Sequence, residues 1–181
     1  ECDVSDALSQ PMESNAGSAR EDEQRTPLLQ LVGVTKRFGG LAAVDNLSFT
    51  LRKGEILGVI GPNGAGKSTM VSLIGGSLTP TSGTISYQGH DISRLPPNRR
   101  THLGLARTFQ VAQPFMDLSV RENVMVGAFF GQHGLNRAAA LRVADEVLER
   151  VNLAHKASFK GDQLTIADRK RLEMARALAM E

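Results

Sequence analysis

Residues 61–69 read Gly61-Pro62-Asn63-Gly64-Ala65-Gly66-Lys67-Ser68-Thr69 and follow the apolar run Ile56-Leu57-Gly58-Val59-Ile60. The pattern G-x-x-x-x-G-K-[ST] belongs in one context: a buried strand that runs into a glycine-rich turn, then a helix. Gly61, Gly64 and Gly66 permit torsions and close approach that a Cβ would block. Successive N–H groups can then line a concave anion site at the positive end of the following helix. Lys67 supplies a point charge for β- and γ-phosphates, and the Ser68 hydroxyl is a hard oxygen donor suited to Mg²⁺. The segment predicts a nucleoside triphosphate site.

The rest of the composition bounds that reading. At 181 residues, with 41% hydrophobic and 22% charged, the chain is ordinary for one globular α/β domain in one or two lobes. Its net charge of +2 hides an asymmetry. Residues 1–25 carry seven acids against Arg20 and Arg25, hence −5, which leaves +7 for the remainder. A mildly basic body suits an anionic ligand or a membrane surface but is too weak to argue for nucleic acid. The lone Cys2 excludes an internal disulfide and fits a reducing compartment. No stretch approaches the ~20 apolar residues of a membrane span, and no signal peptide is visible. Residues 1–26, acidic and poor in apolar residues, are expected to be disordered. Met12 is a candidate initiator, and the chain stops at Glu181 inside a helical pattern with no capping signal, so it reads as a fragment.

Strand patterns occupy 28–34, 43–51 around an expected turn at Asp45-Asn46, 55–60, 84–87 and 104–109. Helical patterns run from Lys67 to about Ile74, from Pro96-Pro97, from Leu118 to about Phe130, from Asn136 to Val151 and from Asp168 onward. Val120, Val124 and Ala128 share one helix face; Ala139, Val143, Val147 and Val151 share another. A β-rich first half around the loop and a helical second half suggest a nucleotide core with a helical lobe inserted between its elements. His90, His102, His133 and His155 show no metal-ligand spacing and read as surface residues. Phe129-Phe130 reads as helical-lobe core, with a partner-facing patch as the alternative.

Beyond the loop, Val34-Thr35-Lys36-Arg37-Phe38-Gly39-Gly40, then Ala43-Val44-Asp45-Asn46-Leu47-Ser48-Phe49 and Gly54-Glu55-Ile56, lead into 61–69. This order resembles the ATP-binding subunits of ABC transporters. Arg37-Phe38-Gly39-Gly40-Leu41, Leu95-Pro96-Pro97 and Gly104-Leu105-Ala106-Arg107-Thr108-Phe109-Gln110 look most like the branched-chain amino-acid importers of that family. The resemblance covers residues 28–181. It implies an α/β fold: a P-loop NTPase, the ABC-type ATPase core, with an antiparallel β subdomain and an inserted helical subdomain. The implied division is 1–26 as a disordered segment, 27–110 as nucleotide-binding core, 111–167 as helical subdomain and 168–181 as the start of the next helix.

The resemblance also implies the site. The cofactors would be ATP and Mg²⁺, with Phe38 stacking on adenine; such stacking contributes ~1–3 kcal/mol without reading sequence. Gly61, Pro62, Asn63, Gly64, Ala65, Gly66, Lys67, Ser68 and Thr69 would wrap the phosphates. Ser68 and Gln110 would be the Mg²⁺ ligands, and Lys67 and Gln110 the catalytic groups in hand. The family's Leu-Ser-Gly-Gly-Gln is here Leu164-Thr165-Ile166-Ala167-Asp168. Thr165 keeps a hydroxyl for the γ-phosphate across a dimer, but Ala167 replaces a glycine and Asp168 brings negative charge near a phosphate site. Thr165 and Asp168 also read as a simple capping pair. A strand ending in Asp-Glu and a switch histidine, both expected in the family, would lie beyond Glu181. The implied partners are a second ATP-binding subunit, head to tail, and integral membrane permease subunits, with no nucleic acid. The implied location is cytoplasmic, on the inner face of the cell membrane. Alone, the chain is expected to bind nucleotide weakly and hydrolyse nothing measurable. Two rivals stay open: a non-transport ABC protein acting on nucleic acid, and a degenerate cassette without catalysis.

Overall fold

The computed structural model describes residues 26–108 and 114–180. The expected disorder of 1–26 and the positions of Cys2, Met12, Phe109 and Gln110 therefore lie outside the described residues, Thr26 excepted. Four antiparallel strands form one sheet in the order β2-β1-β3-β4: β1 (Pro27–Phe38), β2 (Leu41–Arg52), β3 (Ser82–Tyr87) and β4 (His90–Asp91). The hairpin between β1 and β2 closes at the Phe38–Leu41 pair, around Gly39-Gly40.

The expected turn at Asp45-Asn46 is instead an irregularity inside a continuous β2. Asn46 takes φ 46°, and the facing Gly33 takes φ 59°. The two departures are stitched together: the Asn46 N–H donates to Thr35 Oγ1 (3.0 Å), and the Gly33 N–H donates to Ser48 Oγ (2.8 Å). Polar turn residues thus produce a bulge because a strand partner is present to satisfy them. The bulge also shifts the inward positions from Leu29 and Leu31 to Val34.

Helix α1 (Lys67–Ile74) buries Met70 and Leu73 in the same core as Leu29, Leu31, Val34, Val44, Ile85 and Ile92. After the short α2 (Pro97–Thr101), Arg100 returns to this helix. It is 1% exposed, and Nη1 donates to the carbonyls of Leu73 and Ile74 at 2.7 Å each. Those carbonyls lie in the last turn of α1, where the helix itself supplies few donors.

A second core lies in α3 (Val120–Phe130), α4 (Arg137–Arg150) and α5 (Ile166–Leu178). Each helix starts on a side-chain cap. Ser119 and Glu122 form a capping box, and Asn136 accepts from the Ala139 N–H at 3.0 Å. Val120, Val124 and Ala128 are buried as expected. On α4 the buried face is rotated by one position, to Ala140, Ala144, Val147 and Leu148, with Val143 and Val151 only partly covered. The Phe129-Phe130 pair divides: Phe129 packs on the helical core and Phe130 is exposed.

Two strand expectations fail. Residues 55–60 form no strand, and Ile56 and Ile60 are 97% and 98% exposed. Residues 104–108 are likewise irregular. A run apolar on both faces is a sheet-interior strand, and its conformation is set by ladders on either side. Among the described residues no strand pairs with either segment.

Candidate functional site

The glycine-rich loop takes its shape from two left-handed residues. Gly64 has φ 85° and Gly66 has φ 82°. At Gly66 a Cβ would also sit 2.2 Å from the Ala43 carbonyl oxygen, so β2 presses against the loop where α1 begins. Gly61 has no such torsion; its Cβ would meet that of Ala65 at 3.3 Å. Pro62, Asn63, Gly64 and Ala65 are exposed, as is Ser68 in the first turn of α1.

Lys67 is drawn into the loop. Its Nζ donates to the carbonyls of Gly61 (2.5 Å) and Pro62 (2.6 Å), which centres the ammonium beneath the turn. A lysine has three donors, so the third points elsewhere. The loop, α1 and β2 bound a cleft of about 250 Å³ lined by Ala43, Val44, Val59, Ala65, Gly66 and Lys67. A helix start, a cation and an exposed hydroxyl in one place suit an anion with several oxygens. The Ser68 hydroxyl is a chemically fitting, exposed donor for Mg²⁺. Among the described residues no group of three or more His, Cys, Asp or Glu could hold a metal ion.

Phe38 ends β1 and is 49% exposed. Lys36 lies 5.3 Å from the ring centroid and donates to the Thr79 carbonyl at 2.8 Å. Two positions earlier on a strand is the same face, so this pair was open to sequence reading but was missed. Gln110 lies outside the described residues. The backbone at Phe115 is held by Asn123, fully buried. Its Oδ1 accepts from the Phe115 N–H (2.8 Å), and its Nδ2 lies near the carbonyls of Phe115, Leu118 and Ser119.

Thr165 is the N-cap of α5. Its hydroxyl accepts from the Asp168 N–H (3.2 Å) and donates to Asp168 Oδ2 (2.8 Å). Asp168 is 5% exposed, and Lys156 Nζ lies 2.6 Å from Oδ2 while Arg171 Nη1 lies 3.4 Å from Oδ1. Hydrogen bonds from Lys156 and Thr165 hold this carboxyl below the usual carboxylate range, with burial opposing them. The acid expected to oppose a phosphate is therefore turned inward and countered by cations. The hydrogen bonds of the Thr165 hydroxyl thus stay within its own cap, to Asp168.

The ABC transporter family model matches residues 44–181. The high-affinity branched-chain amino acid transport ATP-binding protein LivG of Salmonella typhimurium is 37% identical over 172 residues, covering 86% of this chain. The chain spans 66% of that relative's length. A putative ribose/galactose/methyl galactoside import ATP-binding protein of Rhizobium meliloti is 33% identical over 154 residues, covering 85% of this chain and 30% of its own. Among solved structures, a dimeric ATP-binding cassette bound to ADP and Pi superposes with a TM-score of 0.71 at 28% identity, covering 84% of this chain and 69% of that one. The fold, the glycine-rich loop and these matches together place the chain in the ABC transporter family, with the P-loop NTPase fold of its ATP-binding cassettes.

Proposed function

We infer that this chain is the nucleotide-binding part of an ABC importer ATPase that carries branched-chain amino acids. The observation that carries the reading is the Lys67 ammonium centred under a loop whose Gly64 and Gly66 adopt left-handed torsions, at the start of α1. In this reading ATP is held by residues 61–69, with Phe38 stacked on the adenine and Lys67 against the β- and γ-phosphates. Mg²⁺ would be held by Ser68 and Gln110, where it neutralises phosphate charge. Gln110 orients the attacking water. The core spans 27–110 and the helical subdomain 111–167. The likeness to a dimeric ATP-binding cassette supports a dimer, which in this reading is head to tail, with Thr165 serving the nucleotide of a second copy.

No helix among the described residues is long and apolar enough to cross a membrane, which fits a subunit that works against a separate permease. In this reading the subunit works on the cytoplasmic face of the membrane. The likeness to LivG supports the branched-chain assignment, and the likeness to a sugar importer is what the test must separate from it. Reconstituted with its permease and supplied with ATP, the full-length protein should accumulate leucine and not galactose, and Lys67→Ala should abolish uptake. Galactose uptake alone would overturn the solute; uptake by Lys67→Ala would overturn the role of the loop.

A further inference from the structure

The start of α5 holds an acid where the proposed dimer needs to meet a phosphate, and its surroundings are built to silence it. Lys156 ends a turn, Ala154–Lys156, whose own backbone is tied down: its N–H donates to the Leu153 carbonyl and its carbonyl accepts from the Phe159 N–H, both at 2.9 Å. The next residue, Ala157, is buried and its carbonyl accepts from the Arg121 N–H at 3.0 Å on α3. The ammonium therefore reaches Asp168 from a fixed platform, with its side chain only 26% exposed. Arg169 adds a second cation on the same turn, donating through Nε to the Leu164 carbonyl and through Nη2 to that of Asp162. Asp168 is oriented back toward its own cap, and Ile166 and Ala167 remain at the surface end of the helix.

We propose that Lys156 is a positioning residue of the nucleotide site formed between two copies: it pairs with Asp168 and holds that carboxylate inward, away from the γ-phosphate. The inference rests on the dimer reading given above. Without Lys156, the carboxylate keeps only the more distant Arg171 and the Thr165 hydroxyl. A buried carboxylate short of a counter-charge moves toward water, and the exposed neighbours are Thr165, Ile166 and Ala167 at the start of α5.

The test uses the full-length protein with MgATP and compares wild type, Lys156→Gln, Lys156→Arg, Asp168→Asn and the Lys156→Gln/Asp168→Asn double variant. The readouts are MgATP-dependent dimerisation by light scattering, affinity for MgATP, and thermal unfolding. Lys156→Gln should weaken dimerisation by about tenfold or more, the scale of one uncompensated charge near a phosphate, while binding MgATP like wild type. Lys156→Arg should retain the dimer. Asp168→Asn and the double variant should agree within about twofold, the ordinary error of additivity, because Lys156 has nothing left to counter. A Lys156→Gln protein that dimerises like wild type overturns the proposal, and so does a double variant clearly weaker than Asp168→Asn. That last comparison stands even where Lys156→Gln alone fails to fold. Wild type that binds MgATP without dimerising overturns the dimer reading itself, and the role of Lys156 with it.

Discussion

Arg100 reaches across the core to place Nη1 2.7 Å from the Leu73 carbonyl, and the same nitrogen is 2.7 Å from that of Ile74. The last turn of the loop helix is thus capped by a guanidinium from α2, whose Nε also donates to the Leu95 carbonyl at 2.8 Å. Burial lowers the affinity of this group for its proton, and Asp91 partly offsets that. Arg100→Met removes the cap and the donor to the Ser93, Leu95 and Ile74 carbonyls, while the Leu73 carbonyl keeps the Gly76 N–H. A loss of about 2–4 kcal/mol in unfolding free energy is expected by denaturant titration. A loss below about 1 kcal/mol, the size of an ordinary surface change, would show that water replaces the guanidinium.

Gly66→Ala tests the loop's geometry. The new methyl would meet the Ala43 carbonyl oxygen at 2.2 Å, and the residue holds φ 82°. Left-handed strain alone costs about 1–3 kcal/mol. The clash with backbone adds to it. MgATP affinity should fall by at least tenfold, or about 1.4 kcal/mol. Gly40→Ala is the control, since a Cβ there meets nothing within 4 Å. Equal affinities for the two variants would contradict the loop geometry.

Asn123→Asp changes one atom and asks whether a donor is needed. Nδ2 faces the carbonyls of Phe115, Leu118 and Ser119 at 2.9, 3.2 and 3.0 Å. A carboxylate there would confront three acceptors with no donor of its own. The expected destabilisation is about 2–4 kcal/mol at neutral pH, easing on acidification as the carboxyl gains a proton. Stability that does not recover in acid would contradict the expectation.

Much of this was legible before any coordinates. The loop and its helix depend on residues within a few positions of one another, so sequence carries them; the caps at Ser119 and Asn136 are equally local but were not read from it. The expected strand at 55–60 does not form, because a run such as Ile56-Leu57-Gly58-Val59-Ile60 becomes a strand only when ladders form beside it. Asp45-Asn46 read as a turn because those residue types favour one; Gly33, Thr35 and Ser48 across the hairpin made it a bulge. The Lys156–Asp168 pair spans twelve positions and a tied-down turn, and no periodicity announces it. Sequence therefore placed the acid beside a phosphate without the cation that counters it.

That pair has a pH signature. The folded pKa of Asp168 lies below its ordinary value of 3.8, owing chiefly to the hydrogen bond from Lys156. A carboxyl with a depressed folded pKa binds more protons unfolded than folded, so its contribution is present above the unfolded pKa and is lost as pH falls through the folded one. The stability difference between wild type and Asp168→Asn should be flat from neutrality down to about pH 5 and shrink below about pH 4. Using the difference cancels the contributions of Asp91 and Glu122, which are lowered by Ser93 and Ser119. A difference that grows in acid would reverse the sign and contradict the pairing.

The central claim is that residues 61–69 bind a nucleoside triphosphate, and the most direct measurement is calorimetric titration of MgATP into wild type and Lys67→Ala. The account predicts saturable binding by wild type and at least a tenfold weaker constant for the variant, since a charge-assisted contact contributes about 1.5–3 kcal/mol. Equal binding by both proteins, or none by wild type, would contradict it.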